Sequence, residues 1–417
     1  MQHRLVIIGS LEENIALVRH SKERGYYTIV CDGYPDGPAK KFADKVYNIN
    51  VRDDRAIAEM CRKEEADGII GSFSDLLLEQ ITRIADRAGI RWYLKPDQIP
   101  YYREKNAAKD LMERQGIHVP RHTVLKADFQ DRELSGFSMP LVVKPVNGWG
   151  SKGIYVVRST EEIRSLFQDI AGRSSGMETE IEVEEFSKGR EYNMMTWVID
   201  GEVHVISIAD REKNPQEGNA LPLLNRLCYP AAAVRKILPE AKAVLEKYIA
   251  ATGQKNGALS MQFFYNEHGV EVCEIAARLF GYEHEMVTIC SGFDIEDMLL
   301  NYVYDTDALK AQFRGHSPYF DKYCAGLYFV GRQDMEVYDL QTAEELARDE
   351  HVIFSQIFYK KGEKIDNYGP NPYLTRYYVT GKDRAEVDRV TEDFFQKFSV
   401  RDREGREVAY SFRMEKD

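Results

Sequence analysis

An apolar run, Leu141-Val142-Val143, ends in Lys144-Pro145 and enters Val146-Asn147-Gly148-Trp149-Gly150-Ser151-Lys152-Gly153 before apolar residues resume at Ile154 and Val156-Val157. The pattern predicts strand, loop, strand. The three glycines permit positive φ and close approach of backbone to a ligand, so successive N–H groups can wrap an anion. Lys144 at the strand end and Lys152 inside the loop add positive charge where a polyphosphate would sit. The stretch does not match G-x-x-x-x-G-K-S/T and no helix clearly follows, so it is not the usual P-loop. An ordinary glycine-rich hairpin would use the same residues. The rest of the chain separates the two readings.

A second segment, Ile181-Glu182-Val183-Glu184-Glu185-Phe186-Ser187-Lys188-Gly189-Arg190-Glu191, has the form E-x-x-x-x-G-x-E. A third pairs Gly257–Phe264 with Val270–Gly281 across a short turn, ending Glu274-Ile275-Ala276-Ala277-Arg278-Leu279-Phe280-Gly281. In this order and approximate spacing the three segments resemble the ATP-grasp superfamily. The last form and the long C-terminal region look like the branch holding L-amino-acid ligases, carbamoyl-phosphate synthases and biotin carboxylases. The resemblance covers roughly residues 1–310 well and the remainder loosely.

The resemblance implies ATP and Mg²⁺ (or Mn²⁺) as cofactors and assigns residues to them. Lys144 and Lys105 would neutralise the phosphates, and the Trp149–Gly153 loop, with Gly148, Gly150, Ser151 and Gly153, would cover them. Glu184 would meet the adenine amino group, the backbone of Glu185, Phe186 and Ser187 the adenine edge, and Glu191 the ribose hydroxyls. A strand edge offers N–H and C=O in the plane of a base, and a carboxylate accepts from two hydroxyls. Gln262 and Glu274 would supply oxygen ligands to the metal, and Arg278 would bind the substrate carboxylate. One position departs from the family pattern: Ala276 stands where a further metal ligand, usually Asn, is found. Alternation keeps Glu274, Ala276 and Arg278 on one strand face, so the metal site is one ligand poorer. Tyr282, Glu283 and His284 follow, open to second-substrate recognition or to a plain surface role.

Along residues 1–95, short apolar runs (Leu5–Gly9, Thr28–Cys31, Val46–Ile49, Gly68–Gly71) alternate with helical stretches, which predicts a parallel doubly wound sheet. Open parallel sheets bind ligands at the carboxyl ends of their strands. Gly9, Ser10, Asp32, Ser72 and Asp75 are therefore candidates for substrate contact, although Ser and Asp after strands are commonly helix caps. A helix is predicted over Arg103–Gln115 with Lys105 near its start, then a small α/β lid over about 121–186, an antiparallel hairpin turning at Asp200-Gly201, and helices over Ala231–Ala251 and Asp294–Val303. The expected fold class is α/β: a pre-ATP-grasp parallel domain (1–95), an ATP-grasp domain with a mobile α+β lid (96–310), and a C-terminal α+β module (311–417). That module carries no recognisable chemistry; packing, substrate enclosure and homodimer contact are open roles for it.

A net charge of −12 argues against nucleic acid as a partner. Neither a membrane span nor a signal peptide is apparent, so a cytoplasmic protein is expected. The six cysteines lack C-x-x-C spacing and read as reduced thiols; the nine histidines form no zinc pattern. No Ser/His/Asp or Cys/His arrangement suggests a covalent nucleophile. The leading expectation is an ADP-forming ligase that joins a small-molecule carboxylate to an amine or thiol through an acyl phosphate. The alternatives are bicarbonate activation of the carbamoyl-phosphate synthase or carboxylase kind and, because of Ala276, a non-catalytic ATP-binding module.

Overall fold

A computed structural model describes every residue except 1, 72, 147–152, 173–178, 215–222, 282, 368–372 and 415–417. Strands β1 (Arg4–Ile8), β2 (Tyr27–Cys31), β3 (Lys45–Tyr47) and β4 (Gly68–Ile70) form one parallel sheet in the order β3-β2-β1-β4. Leu5, Val6, Ile7 and Ile8 are all fully buried, as a strand covered on both faces requires. Asp53 caps the helix Asp54–Lys63 by accepting from the Ala56 N–H at 3.0 Å, and β4 leads to the helix Asp75–Ala88.

The helix expected over Arg103–Gln115 is two helices, Pro100–Arg103 and Lys105–Arg114, parted at Glu104 with extended backbone. The buried hydroxyl of Tyr102, in the first of them, bonds Thr252 (2.9 Å) and Gln254 (2.7 Å). Lys105 is the first residue of the second helix.

The lid is an antiparallel sheet of β5 (His122–Lys126), β6 (Leu141–Pro145), β7 (Tyr155–Val157) and β8 (Glu180–Glu185), ordered β5-β8-β6-β7. The helix Thr160–Ala171 closes it over a separate core that includes Val143, Val157, Ile163, Phe167 and Ile181. The two expected strands are present as β6 and β7, whose residues 141–143 pair with 155–157, while the expected loop at 147–152 lies outside the described residues.

The central sheet holds β9 (Arg190–Ile199), β10 (Glu202–Lys213), β11 (Leu224–Tyr229), β12 (Gly257–Asn266), β13 (Gly269–Ala276), β14 (Tyr323–Phe329), β15 (Val352–Ile357) and β16 (Thr375–Gly381). Its order is β13-β12-β9-β10-β11-β14-β16-β15. Asp200 (φ 52°) and Gly201 (φ 86°) turn the β9–β10 hairpin, as two consecutive positive φ angles do in the favoured two-residue turn. Strand β11 had no sequence signal, because Asn225 and Arg226 within it are polar yet fully buried. The C-terminal strands β14, β16 and β15 extend this same sheet, over a core that includes Phe329, Tyr377, Phe394, Phe398 and Phe412.

One sequence expectation is overturned here. Cys290 and Cys324 form a disulfide between the helix His284–Ser291 and β14, so not all six cysteines are thiols. Their separation of 34 residues gives no pattern; packing of that helix on β14 brings the Cα atoms to 6.3 Å, within bridging range. Among the described residues no helix is long and apolar enough to cross a membrane.

Gly257 opens β12 at φ +102°, where a Cβ would lie 2.1 Å from Cγ of Tyr93. Tyr93 in turn donates to the carbonyl of Ala277, next to Arg278 (3.0 Å). Gly257→Ala is expected to destabilise the protein by about 2 to 4 kcal/mol, from overpacking plus a left-handed backbone. A urea titration checks this. An unchanged midpoint would mean that Tyr93 moves aside freely.

Candidate active site

Between the lid, the central sheet and the start of the Asp75–Ala88 helix lies a cavity of about 990 Å³. Lys105, Lys144, Glu184, Glu185, Phe186, Ser187, Glu191, Gln262, Glu274 and Arg278 all line it. Gly153 takes φ +70° and does not line the cavity. Gly148, Trp149, Gly150 and Ser151 lie outside the described residues.

The lid supplies the first charge cluster. On β8 the strand period puts Glu182 and Glu184 on one face, and Lys144 of β6 stands in register with Glu182. Lys144 Nζ lies 2.6 Å from Glu184 and 3.6 Å from Glu182. Lys109, one helical turn after Lys105, reaches the same pair, donating to Glu182 at 2.6 Å and also contacting Glu184. Here Glu184, assigned from the sequence to adenine, is engaged by two lysines. Burial alone would raise the Glu182 carboxyl; Lys144, Lys109 and Lys105 outweigh it and hold it at about 2. Burial, with Lys109 and Lys105 nearby, pushes the Lys144 ammonium down to about 7 against the pull of Glu182. Surplus lysine charge thus dominates at Glu182, whereas burial is the larger cause at Lys144. Lys109 and Glu182 escaped the sequence reading. Their signal was spacing: four residues after Lys105, and two before Glu184.

A second cluster surrounds Glu191 on β9. Arg211 Nη1 is 3.1 Å away, and Lys213 and the Gln262 amide also bond it. Burial would raise this carboxyl, but Arg211 and Lys213 hold it low. Arg211 and Lys213, two apart on β10, share a face and both line the cavity; they too were missed. The lid edge is fixed from behind, since the Glu185 N–H donates to Arg121 O (2.9 Å) and the Phe186 N–H to Pro140 O (3.2 Å).

Gln262 and Glu274 are directly paired across β12 and β13. The Gln262 amide N–H₂ is turned to Glu191, which leaves its oxygen as the acceptor. A neutral amide oxygen beside a cavity-facing carboxylate suits a hard divalent cation completed by phosphate oxygens and water, so these residues fit Mg²⁺. Ala276 is buried opposite Ser260 and adds no ligand. The two three-residue groups with metal-ligand geometry among the described residues, His20/Asp294/Asp297 and Asp110/Glu113/His122, include none of these side chains.

Arg278 makes a two-pronged contact with Asp75, Nε to Oδ1 at 3.1 Å and Nη2 to Oδ2 at 3.0 Å. Burial would raise the Asp75 carboxyl; Arg278 outweighs it and holds it low. Asp75 is therefore an ion-pair partner at the cavity and not a helix cap. Ser10 and Asp32 do not cap helices either: they bond each other at 2.9 Å and line, with Gly9, a second cavity of about 460 Å³. Ser72 and Tyr282 lie outside the described residues. A surface role for Glu283 and His284 is ruled out by burial. Glu283 accepts from Asn193 (2.6 Å) and Tyr229 (2.5 Å); His284 faces Glu296 at 3.0 Å and stacks on Phe73. The short separation from the substrate strand had left both outcomes open.

Residues 137–285 match the family model of an ATP-grasp domain. A formate-dependent phosphoribosylglycinamide formyltransferase of Bacteroides thetaiotaomicron is 23% identical over 310 residues, covering 72% of this chain and 76% of that protein. Among solved structures, the L-amino acid ligase from Bacillus licheniformis superposes with a TM-score of 0.79 at 18% identity, covering 96% of this chain and 98% of the other. Biotin carboxylase from Campylobacter jejuni, solved as a β,γ-ATP complex, gives 0.72 at 15% identity over 97% and 92%. The chain contains an ATP-grasp domain, and its fold is that of the ATP-grasp superfamily.

Proposed function

We propose that the chain is an ADP-forming ATP-grasp ligase that joins a small-molecule carboxylate to an amine or thiol. One observation carries the reading: a single cavity gathers a lysine cluster, a paired Gln262/Glu274 oxygen site, and the Arg278 guanidinium. The relatives' names support it, since formate and amino acids are both carboxylates. Phosphoryl transfer asks a protein for charge neutralisation and in-line positioning more than for covalent chemistry. Lys144, Lys105 and Lys109 would meet the phosphates, with phosphate oxygens replacing Glu184 against Lys144. Gln262 and Glu274 would hold Mg²⁺, which when bound offsets charge on the phosphoryl oxygens. Two donors of Arg278 face Asp75 and Nη1 also donates to the Leu279 carbonyl at 3.4 Å, so the acid would meet the remaining N–H groups of Nη1 and Nη2. The acid's oxygen attacks the γ-phosphorus and ADP leaves; the amine then attacks the acyl carbon, phosphate leaves, and the nitrogen loses a proton. Ala276 favours a second reading, an ATP-binding module without turnover.

Nucleotide binding should depend on pH through Lys144. Its ammonium, at about 7 without ligand, is charged below that pH, and a polyphosphate favours the charged form. Mg-ATP affinity should hold steady below pH 7. Above it, binding must take up a proton, and affinity should fall by up to about tenfold per pH unit. Calorimetry at several pH values measures this. Lys144→Ala should remove the pH dependence in that window and weaken binding at pH 6.5 by about tenfold or more, the loss of a charge-assisted contact. Equal affinity at pH 6.5 and 8.5 in the natural protein would contradict the assignment.

Turnover separates ligase from binding module. A screen of acids and amines should find a mixture that releases ADP, and hydroxylamine in place of the amine should then trap a hydroxamate. Glu274→Gln should lose ADP formation far more than ATP binding, because the metal acts on charge that develops in the transition state. Arg278→Ala should lose the hydroxamate while keeping nucleotide affinity. Bound ATP with no ADP from any mixture would favour the second reading. A gain of turnover in Ala276→Asn would identify the natural metal site as crippled.

A further inference from the structure

Residues 411–414 form a strap along the cavity wall. Phe412 is buried in the C-terminal core, 4.7 Å from the Phe329 ring. On either side of it two buried asparagines grip the backbone. Asn214 donates to the Ser411 carbonyl (2.9 Å) and accepts from the Arg413 N–H (3.1 Å), as the peptide group of a neighbouring strand would. Asn225, with no exposed surface, donates to the Arg413 carbonyl (2.6 Å) and to Asn214 (2.7 Å). Burying amides is costly unless they are bonded, so this clamp holds the strap in one register. Asn214 directly follows Lys213, and Asn214, Lys213, Arg413 and Met414 all line the large cavity.

The charges explain what the strap delivers. Nine basic and six acidic side chains line the cavity among the described residues, although the chain as a whole carries a net charge of −12. Lys109, Lys144, Arg211, Lys213 and Arg278 each face a carboxylate. Among the described residues, the Arg413 guanidinium has no ion pair or hydrogen bond. An arginine whose backbone is clamped and whose fork is open at an electropositive cavity is built to take oxyanions.

We propose that Arg413 is a binding residue of this site, presented by the clamped strap to an anionic oxygen group of a substrate. The proposal rests on the ligase reading above. That group is a phosphate of the nucleotide or a carboxylate of the acid. Calorimetry on the full chain distinguishes them, with MgADP, adenosine, and succinate added to the MgADP complex as probes. If the group is phosphate, Arg413→Ala should weaken MgADP by about tenfold and leave adenosine unchanged. If it is carboxylate, MgADP affinity should be kept and succinate binding lost. Arg413→Lys should restore only part of either effect, because a point charge replaces a fork. The side chain is exposed, so the thermal midpoint should not move. Natural protein that binds MgADP, with Arg413→Ala matching it for all three probes, overturns the proposal. Natural protein that binds no MgADP overturns the ligase reading itself, and this one with it.

Discussion

Five cationic side chains converge on one cavity, and each lies within reach of a carboxylate: Lys109 and Lys144 against Glu182 and Glu184, Arg211 and Lys213 against Glu191, Arg278 against Asp75. Taking such groups from water costs several kcal/mol per ion unless the pairing is close. The acids come from three different places: the lid strand β8, the central strand β9, and the helix that follows β4. Sheet registry places the first two, and packing of the parallel domain on the central sheet places the third. Removal of Asp75 would leave Arg278 without its carboxylate, while the other two clusters share their acids among several cations, and the cavity joins all three parts of the fold.

The same pairs prepare the cavity for an anion. Glu184 occupies Lys144 at the place where the reading puts a phosphate, and its release is the exchange that binding requires. Surplus positive charge remains even so, in Lys105, Lys188 and Arg413 along the wall. The Asp75–Arg278 pair links the first sheet's helix to the chain just past the end of strand β13, which carries Glu274. Glu274 and the Arg278 guanidinium are thereby held relative to one another before any substrate arrives, which is what the proposed in-line transfer needs.

Local chemistry made much of this legible. Strand–helix alternation named the parallel sheet, Asp200-Gly201 the hairpin, and Asp75–Ala88 its helix to the residue. Ten residues singled out by motif spacing line one cavity. What stayed hidden depends on contacts distant in sequence. Asp75 meets Arg278 across 203 residues, and nothing beside Asp75 separates an ion-pair partner from a cap. Cys290 and Cys324 pair only because a helix lies on β14. Strand β11 buries Asn225 and Arg226, which defeats any reading by hydrophobic alternation. Arg211 and Lys213 carry an ordinary alternating pattern, and only the β9–β10 pairing turns them toward Glu191. That the C-terminal strands continue the central sheet was not legible, because the strand that joins them to it, β11, carries buried polar residues.

The most direct test of the central claim follows one oxygen atom. An acid that supports ADP formation is labelled with oxygen-18 in its carboxylate, and the phosphate released on amide formation is read by phosphorus NMR. Attack of the carboxylate on the γ-phosphorus predicts that each phosphate carries one labelled oxygen and the product amide keeps the other. Unlabelled phosphate, with the oxygen lost by the acid appearing in water instead, would contradict phosphoryl transfer to the carboxylate at this site.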